Sequence, residues 1–166
     1  MIKLFLLEKR VYSFHSVVRI VHSIDPNGTV IYDKNGRAVI KQAKLHLGIS
    51  HSGDWAVIGV GEEPLGVDVQ KYKGKSRDFI EYITGENDMA PPQVCKIWSI
   101  KESYVKWLGT GWIGLEPDEI VIDFNTQKVY GAKKSAYFIT SEIFETYAVS
   151  VCSESSSILK ERIFFQ

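Results

Sequence analysis

Asp68 and Gln70 stand two residues apart in the run Leu65-Gly66-Val67-Asp68-Val69-Gln70. In a strand, alternation puts Leu65, Val67 and Val69 on one face and Gly66, Asp68 and Gln70 on the other. A carboxylate beside an amide oxygen, with the small Gly66 next to them, suits a hard cation such as Mg²⁺, which takes oxygen ligands and keeps several waters. A second group falls in residues 94–108. With Trp98 at zero and about 100° per residue, Trp98, Glu102 and Lys106 share one helical sector, and Lys101 sits at its edge. Ile97, Ile100, Tyr104, Trp107 and Leu108 fall on the opposite side as a core stripe. A third group is Gly48-Ile49-Ser50-His51-Ser52-Gly53-Asp54-Trp55, where a β-run meets a hydroxyl-rich turn. Free N–H and O–H groups of such a turn can hold phosphate oxygens, and His51 can join them. Singly, each group also has a plain structural reading: a solvated strand face, a surface Glu–Lys pair worth a few tenths of a kcal/mol, and a tight hairpin turn. Trp98 beside Glu102 and Lys106 speaks against a wholly solvated face.

The surrounding chain supplies elements that can position these residues. Residues 1–10 read as a first strand, because the apolar run Leu4–Leu7 is met at once by charges and is too short for a signal peptide or a spanning helix. Val11, Phe14, Val18 and Val21 mark residues 9–24 as an amphipathic helix, ended by Pro26-Asn27-Gly28. Strands are expected over 29–33, 38–40, 45–49, 55–60 and 65–70, in an antiparallel meander. Ser76 caps a short helix over 76–83, and Pro91-Pro92 opens a stronger one through Leu108, closed by Gly109. Strands return over 119–124, 135–140 and 146–152. Helix and strands, then helices and strands, read as two α+β halves, 1–65 and 66–166, rather than alternating βαβ units.

Composition narrows the chemistry. The chain has 166 residues, 45% hydrophobic and 24% charged, with 20 basic residues balancing 20 acidic ones. That balance offers no argument for nucleic acid or a membrane as partner, so any anion site must be built locally from a few placed cations. Cys95 and Cys152 form neither a redox nor a zinc spacing and read as buried free thiols. His15, His22 and His46 have no partner at metal spacing. A cytoplasmic location is expected.

Together and in this order, the three groups resemble the signature set of the 4′-phosphopantetheinyl transferases. The segments are Ile49-Ser50-His51-Ser52-Gly53, Gly66-Val67-Asp68-Val69-Gln70 and Trp98-Ser99-Ile100-Lys101-Glu102-Ser103-Tyr104-Val105-Lys106, with Asn35-Gly36-Arg37 as an upstream Gly-basic segment. Their order is similar to that of the monomeric, two-half, surfactin-type branch. The resemblance implies an α+β fold of two pseudo-symmetric halves, each a small antiparallel sheet with a packed helix, and an active site in the cleft between them. It implies a Mg²⁺-dependent enzyme of the holo-[acyl-carrier-protein] synthase type. Such an enzyme moves the phosphopantetheine arm of coenzyme A to a serine of an apo acyl or peptidyl carrier protein. By motif, Asp68, Glu102 and Gln70 are the implied metal ligands, with Asp68, Glu102 and Lys106 catalytic. Arg37, His51, Ser52, Lys101 and Lys106 are the implied coenzyme A contacts. No motif fixes Lys9 and Arg10, which are expected near the 3′-phosphate. The family's second acid on the Asp strand is Gln70 here, which brings no charge. The alternative is therefore a weak or inactive homologue that binds coenzyme A or carrier with a degenerate metal site.

Overall fold

The computed structural model describes residues 1–41 and 44–160. Its elements run β1 (Ile2–Glu8), α1 (Phe14–Ile24), β2 (Thr29–Tyr32), β3 (Ala38–Lys41), β4 (His46–Ser52), β5 (Trp55–Gly61) and β6 (Leu65–Lys71). Then follow α2 (Arg77–Thr84), α3 (Pro91–Leu108), β7 (Val121–Asp123), β8 (Lys128–Gly131), β9 (Lys134–Ile143) and β10 (Tyr147–Ser153). Short 3-10 turns occupy Pro117–Glu119 and Ser156–Lys160.

Among the described residues three sheets form, all antiparallel: β1-β5-β4, β6-β10-β9-β8-β7 and the hairpin β2-β3. In the first sheet the first strand of the half pairs with the last, and the last with the one before it. The second sheet repeats that order as β6-β10-β9, and after its first strand the first half inserts one helix and a small hairpin, the second two helices and a small hairpin. The α+β, two-half expectation is therefore borne out. The likeness is loose, because β7-β8 extends the second sheet whereas β2-β3 stays separate. The expected meander is corrected: β5 lies between β1 and β4, and β6 leaves to pair with β10.

Local chemistry explains most boundaries. α1 begins at Phe14, later than its apolar stripe suggests, because Ser13 and Ser16 form a reciprocal capping box. Residues 9–12 turn instead, and Tyr12 is left outside the helix. Ser76 Oγ accepts the Phe79 N–H to start α2, and Gly85 and Gly109 end α2 and α3 in the left-handed region. β8 escaped sequence reading because Lys128-Val129-Tyr130-Gly131 is short and buries only Val129.

The core is layered. α1 packs on β1 and β5 through Val17, Val21, Phe5, Ile58 and Val60. Val57, Val67, Val69, Val149 and Val151 join the two large sheets. Ile100, Tyr104 and Val105 of α3 cover the outer face of the second sheet with Val129, Phe138 and Cys152. Cys95 and Cys152 are buried free thiols, as expected. No helix among the described residues is long and apolar enough to cross a membrane.

Candidate active site

β6 carries two jobs on its two faces. Val67 and Val69 pack inward, while Gly66 lies against α3. A Cβ on Gly66 would sit 1.9 Å from the Ser103 carbonyl oxygen and 2.4 Å from the Trp107 nitrogen. Only glycine lets strand and helix backbones approach so closely. Ser99 and Ser103, both fully buried small residues four apart, form the matching face of α3, and Ser99 Oγ donates to the Asp68 carbonyl at 3.3 Å. This approach delivers Asp68 to the side chains of α3.

Asp68 is 2% exposed, and its carboxylate is fully engaged. Ser50 Oγ donates to Oδ1 at 2.9 Å, Lys106 Nζ to the same oxygen at 2.6 Å, and Gln70 Nε2 to Oδ2 at 2.8 Å. Lys106 Nζ also reaches Ser50 Oγ at 3.0 Å. The ammonium end stays accessible, with a third of the Lys106 side chain exposed.

Glu102, one helical turn before Lys106, accepts a 2.9 Å hydrogen bond from Trp112 Nε1. Trp112 stacks on Trp98 with centroids 5.1 Å apart and planes within 1°. Burial pushes the Glu102 carboxyl above the ordinary glutamate range. The Trp112 hydrogen bond lowers it, the Asp68 charge raises it again, and Lys106 pulls it down. Lys106 thus bonds Asp68 of β6 and stands one helical turn after Glu102 of α3.

The Ser-His-Ser segment differs from its expected form. It is the end of strand β4, and the turn is Gly53-Asp54. β6 is an edge strand laddered only with β10 among the described residues. Along its free edge Ser50 Oγ accepts the Val69 N–H at 3.3 Å, and Ser52 Oγ accepts the Lys71 N–H at 3.0 Å. The two hydroxyls thus satisfy edge donors where no strand pairs. Ser52 is spent on this seam. His51, on the opposite face of β4, is exposed and lies 6.1 Å from the Tyr12 ring.

His51 helps line a cleft of about 610 Å³ between the halves. Tyr12, Arg37 and His51 come from the first half, Gly66, Lys106 and Trp107 from the second. Lys106 connects the cleft to Asp68. Arg37 closes one end: its Nη1 donates to the Gly109 carbonyl at 2.9 Å while its guanidinium pairs with Asp33 at 2.8 Å. Burial and the neighbouring Tyr32 push the Tyr12 hydroxyl upward.

Lys101 is not brought to this group. It is 5% exposed, and its Nζ donates to the carbonyls of Ile83 and Pro117, each at 2.6 Å. Burial lowers its pKa to about 8. Lys9 and Arg10 are exposed, with Arg10 paired to Glu8. Sequence reading missed two contributors. Ser50 shares a strand face with Ser52, and period-two spacing alone could have flagged it. Trp112 lies in a glycine-rich loop that carries no periodic signal.

As a cation site, the locale offers hard oxygen donors. Among the described residues no group of three or more His, Cys, Asp or Glu side chains is arranged to hold a metal. Mg²⁺ needs few protein ligands and keeps waters, and Asp68 and Glu102 are the carboxylates that would serve it here. Gln70 donates its N–H₂ to Asp68 Oδ2 here.

No family model matches the chain. It is 28% identical over 153 residues to the 4′-phosphopantetheinyl transferase gsp of Aneurinibacillus migulanus, covering 80% of this chain and 62% of that protein. It is 27% identical over 88 residues to the transferase psf-1 of Bacillus pumilus, covering 46% and 38%. It is 24% identical over 123 residues to the transferase Sfp of Bacillus subtilis, covering 65% and 54%. The chain thus spans less than two thirds of the length of these curated relatives. The resemblance drawn from the three motifs is borne out: in sequence this chain is similar to several 4′-phosphopantetheinyl transferases of the surfactin-type branch.

Proposed function

We propose that this chain transfers the 4′-phosphopantetheine arm of coenzyme A to a serine hydroxyl of an apo acyl or peptidyl carrier protein, releasing adenosine 3′,5′-bisphosphate. The observation that carries the reading is the meeting of β6 and α3. There Lys106 bonds Asp68, stands one helical turn after Glu102 and lines a cleft with cationic and aromatic walls. The similarity to transferases of this name supports the reaction class.

In this reading Arg37 and His51 bind the nucleotide end of coenzyme A, and Lys106 meets its pyrophosphate. Lys106 is suited to this because it lines the cleft and its ammonium bonds Asp68, so it can share its protons with a phosphate oxygen as charge grows there. Asp68 and Glu102 would hold Mg²⁺, which when bound supplies Lewis-acid polarisation and neutralises pyrophosphate charge. Asp68, oriented by Ser50 and Gln70, keeps its oxygens fixed. Glu102 is the group placed to take the serine proton. Burial makes it more basic than a solvated glutamate, and the Trp112 hydrogen bond orients its carboxyl. The serine oxygen bonds to the β-phosphorus as the pyrophosphate P–O bond breaks, and the leaving bisphosphate departs with its charge against Lys106. The chain acts as a monomer in the cytoplasm.

One observation favours a second reading. Asp68 is fully satisfied by Ser50, Lys106 and Gln70 without a metal, as a degenerate site that only binds coenzyme A or carrier would be. Intact-mass spectrometry of apo carrier proteins incubated with the chain, coenzyme A and Mg²⁺ decides between the two. A gain of one phosphopantetheine arm, lost in Asp68→Ala and Glu102→Gln, supports transfer. Coenzyme A binding by calorimetry without any mass gain across a carrier panel overturns it.

A further inference from the structure

We propose that Lys101 is a positioning residue rather than a coenzyme A contact: its buried ammonium anchors the loop that carries Trp112 and so sets the orientation of Glu102. The activity part of this inference rests on the reading above. The loop runs from Gly109, the C-cap of α3, to Pro117. Gly111 and Gly114 within it have positive φ, so it is costly to order and needs fixed ends. Arg37 holds one end at the Gly109 carbonyl. Lys101 holds the other at the Pro117 carbonyl. Its second bond, to Ile83, takes one of the orphan carbonyls in the last turn of α2. There an ammonium is also favoured by the helix dipole. One buried cation thus ties α2, the loop and α3 together, and Tyr82 adds a hydrogen bond from α2 to Glu116 on the same loop.

The consequence for the site is geometric. Between its two anchors the loop places Trp112 flat on Trp98, with Phe79 of α2 edge-on to Trp98 at 5.4 Å. In that position Trp112 Nε1 reaches Glu102. Lys101 and Glu102 are adjacent in sequence, yet about 100° apart on the helix. Lys101 therefore reaches the Ile83 and Pro117 carbonyls while Glu102 meets Trp112. Burying an ammonium is costly unless its hydrogens are taken up. Two short bonds to carbonyls of separate elements are a specific use for it.

The test compares Lys101→Met, Trp112→Phe and the double variant. The paired indoles of Trp98 and Trp112 give an exciton signal in circular dichroism that reads the stack without any substrate. Lys101→Met should keep its secondary structure and lose this signal. Its coenzyme A affinity by calorimetry should stay within about two-fold, while turnover falls on the order of tenfold or more, as expected for lost orientation rather than lost binding. The double variant should be no slower than the slower single one, because both act through one contact. A preserved tryptophan signal, or a large loss of coenzyme A affinity with turnover kept, overturns the inference. If Lys101→Met does not fold, Lys101→Gln keeps an N–H donor for the carbonyls and is read by the same two measurements. A wild type that transfers nothing would sink the proposed function, yet the tryptophan signal and coenzyme A affinity would still judge Lys101.

Discussion

Substituting Gly66 by alanine tests the contact on which the site's geometry depends. The added Cβ would lie 1.9 Å from Ser103 O and 2.4 Å from Trp107 N, both backbone atoms that no rotamer change can move. Ordinary van der Waals contact starts near 3.4 Å, so β6 and α3 must part by roughly 1.5 Å. The ion pair spanning that gap is 2.6 Å long, and such a separation takes Lys106 Nζ out of hydrogen-bond reach of Asp68. The stability cost should be about 3 kcal/mol, the upper end of what overpacking a core costs. Because Asp68 and Glu102 move apart as well, transfer should fall about a hundredfold or more. Urea denaturation gives the first quantity, and single-turnover loading of an apo carrier gives the second. Gly74→Ala is the control. Nothing lies within 4 Å of a Cβ there, so its stability should stay within about 0.5 kcal/mol of wild type. If Gly66→Ala matched Gly74→Ala in both assays, the close approach of β6 to α3 would not be what assembles the site.

Two further expectations concern charge. Glu102 has a folded pKa above its unfolded value, so its ionisation opposes folding. That penalty is absent below about pH 4.5, where both states are protonated, and grows as pH rises through the folded pKa. With divalent ions chelated, Glu102→Gln should therefore be more stable than wild type at pH 7 and no different near pH 4; equal stability at both pH values would contradict the shift. Lys101 has a folded pKa lowered to about 8 from 10.5. Above pH 8 the unfolded chain binds the extra proton, so wild type should gain stability relative to Lys101→Met as pH rises from 8 to 10.5. Denaturant midpoints of the two proteins across that range measure it, and parallel curves would refute it.

Much of this architecture could be read along the chain. The caps Ser76, Gly85 and Gly109 are local hydrogen-bonding and backbone requirements, and α2 and α3 lie where they point. Alternation assigned Val67 and Val69 to one face of β6 and Gly66 and Asp68 to the other. The helical sector of Glu102 and Lys106 followed from 100° steps. Strand order did not follow, because pairing β5 with β1 across the helix and hairpin is a long-range choice that no local pattern encodes.

The fate of the polar side chains was decided by the tertiary arrangement. Ser50 and Ser52 look alike in sequence, yet one hydroxyl joins Asp68 and Lys106 while the other only meets a Lys71 N–H, because β4 runs beside an unpaired edge. Lys101 and Lys106 lie on one helix, and a lysine stem can swing either way. Carbonyls from α2 and from Pro117 claim the first, and a carboxylate from β6 claims the second. Periodicity and caps are properties of neighbours in the chain and so are written in the sequence. Which distant group satisfies a buried charge depends on where other elements come to rest, and only the assembled structure settles that.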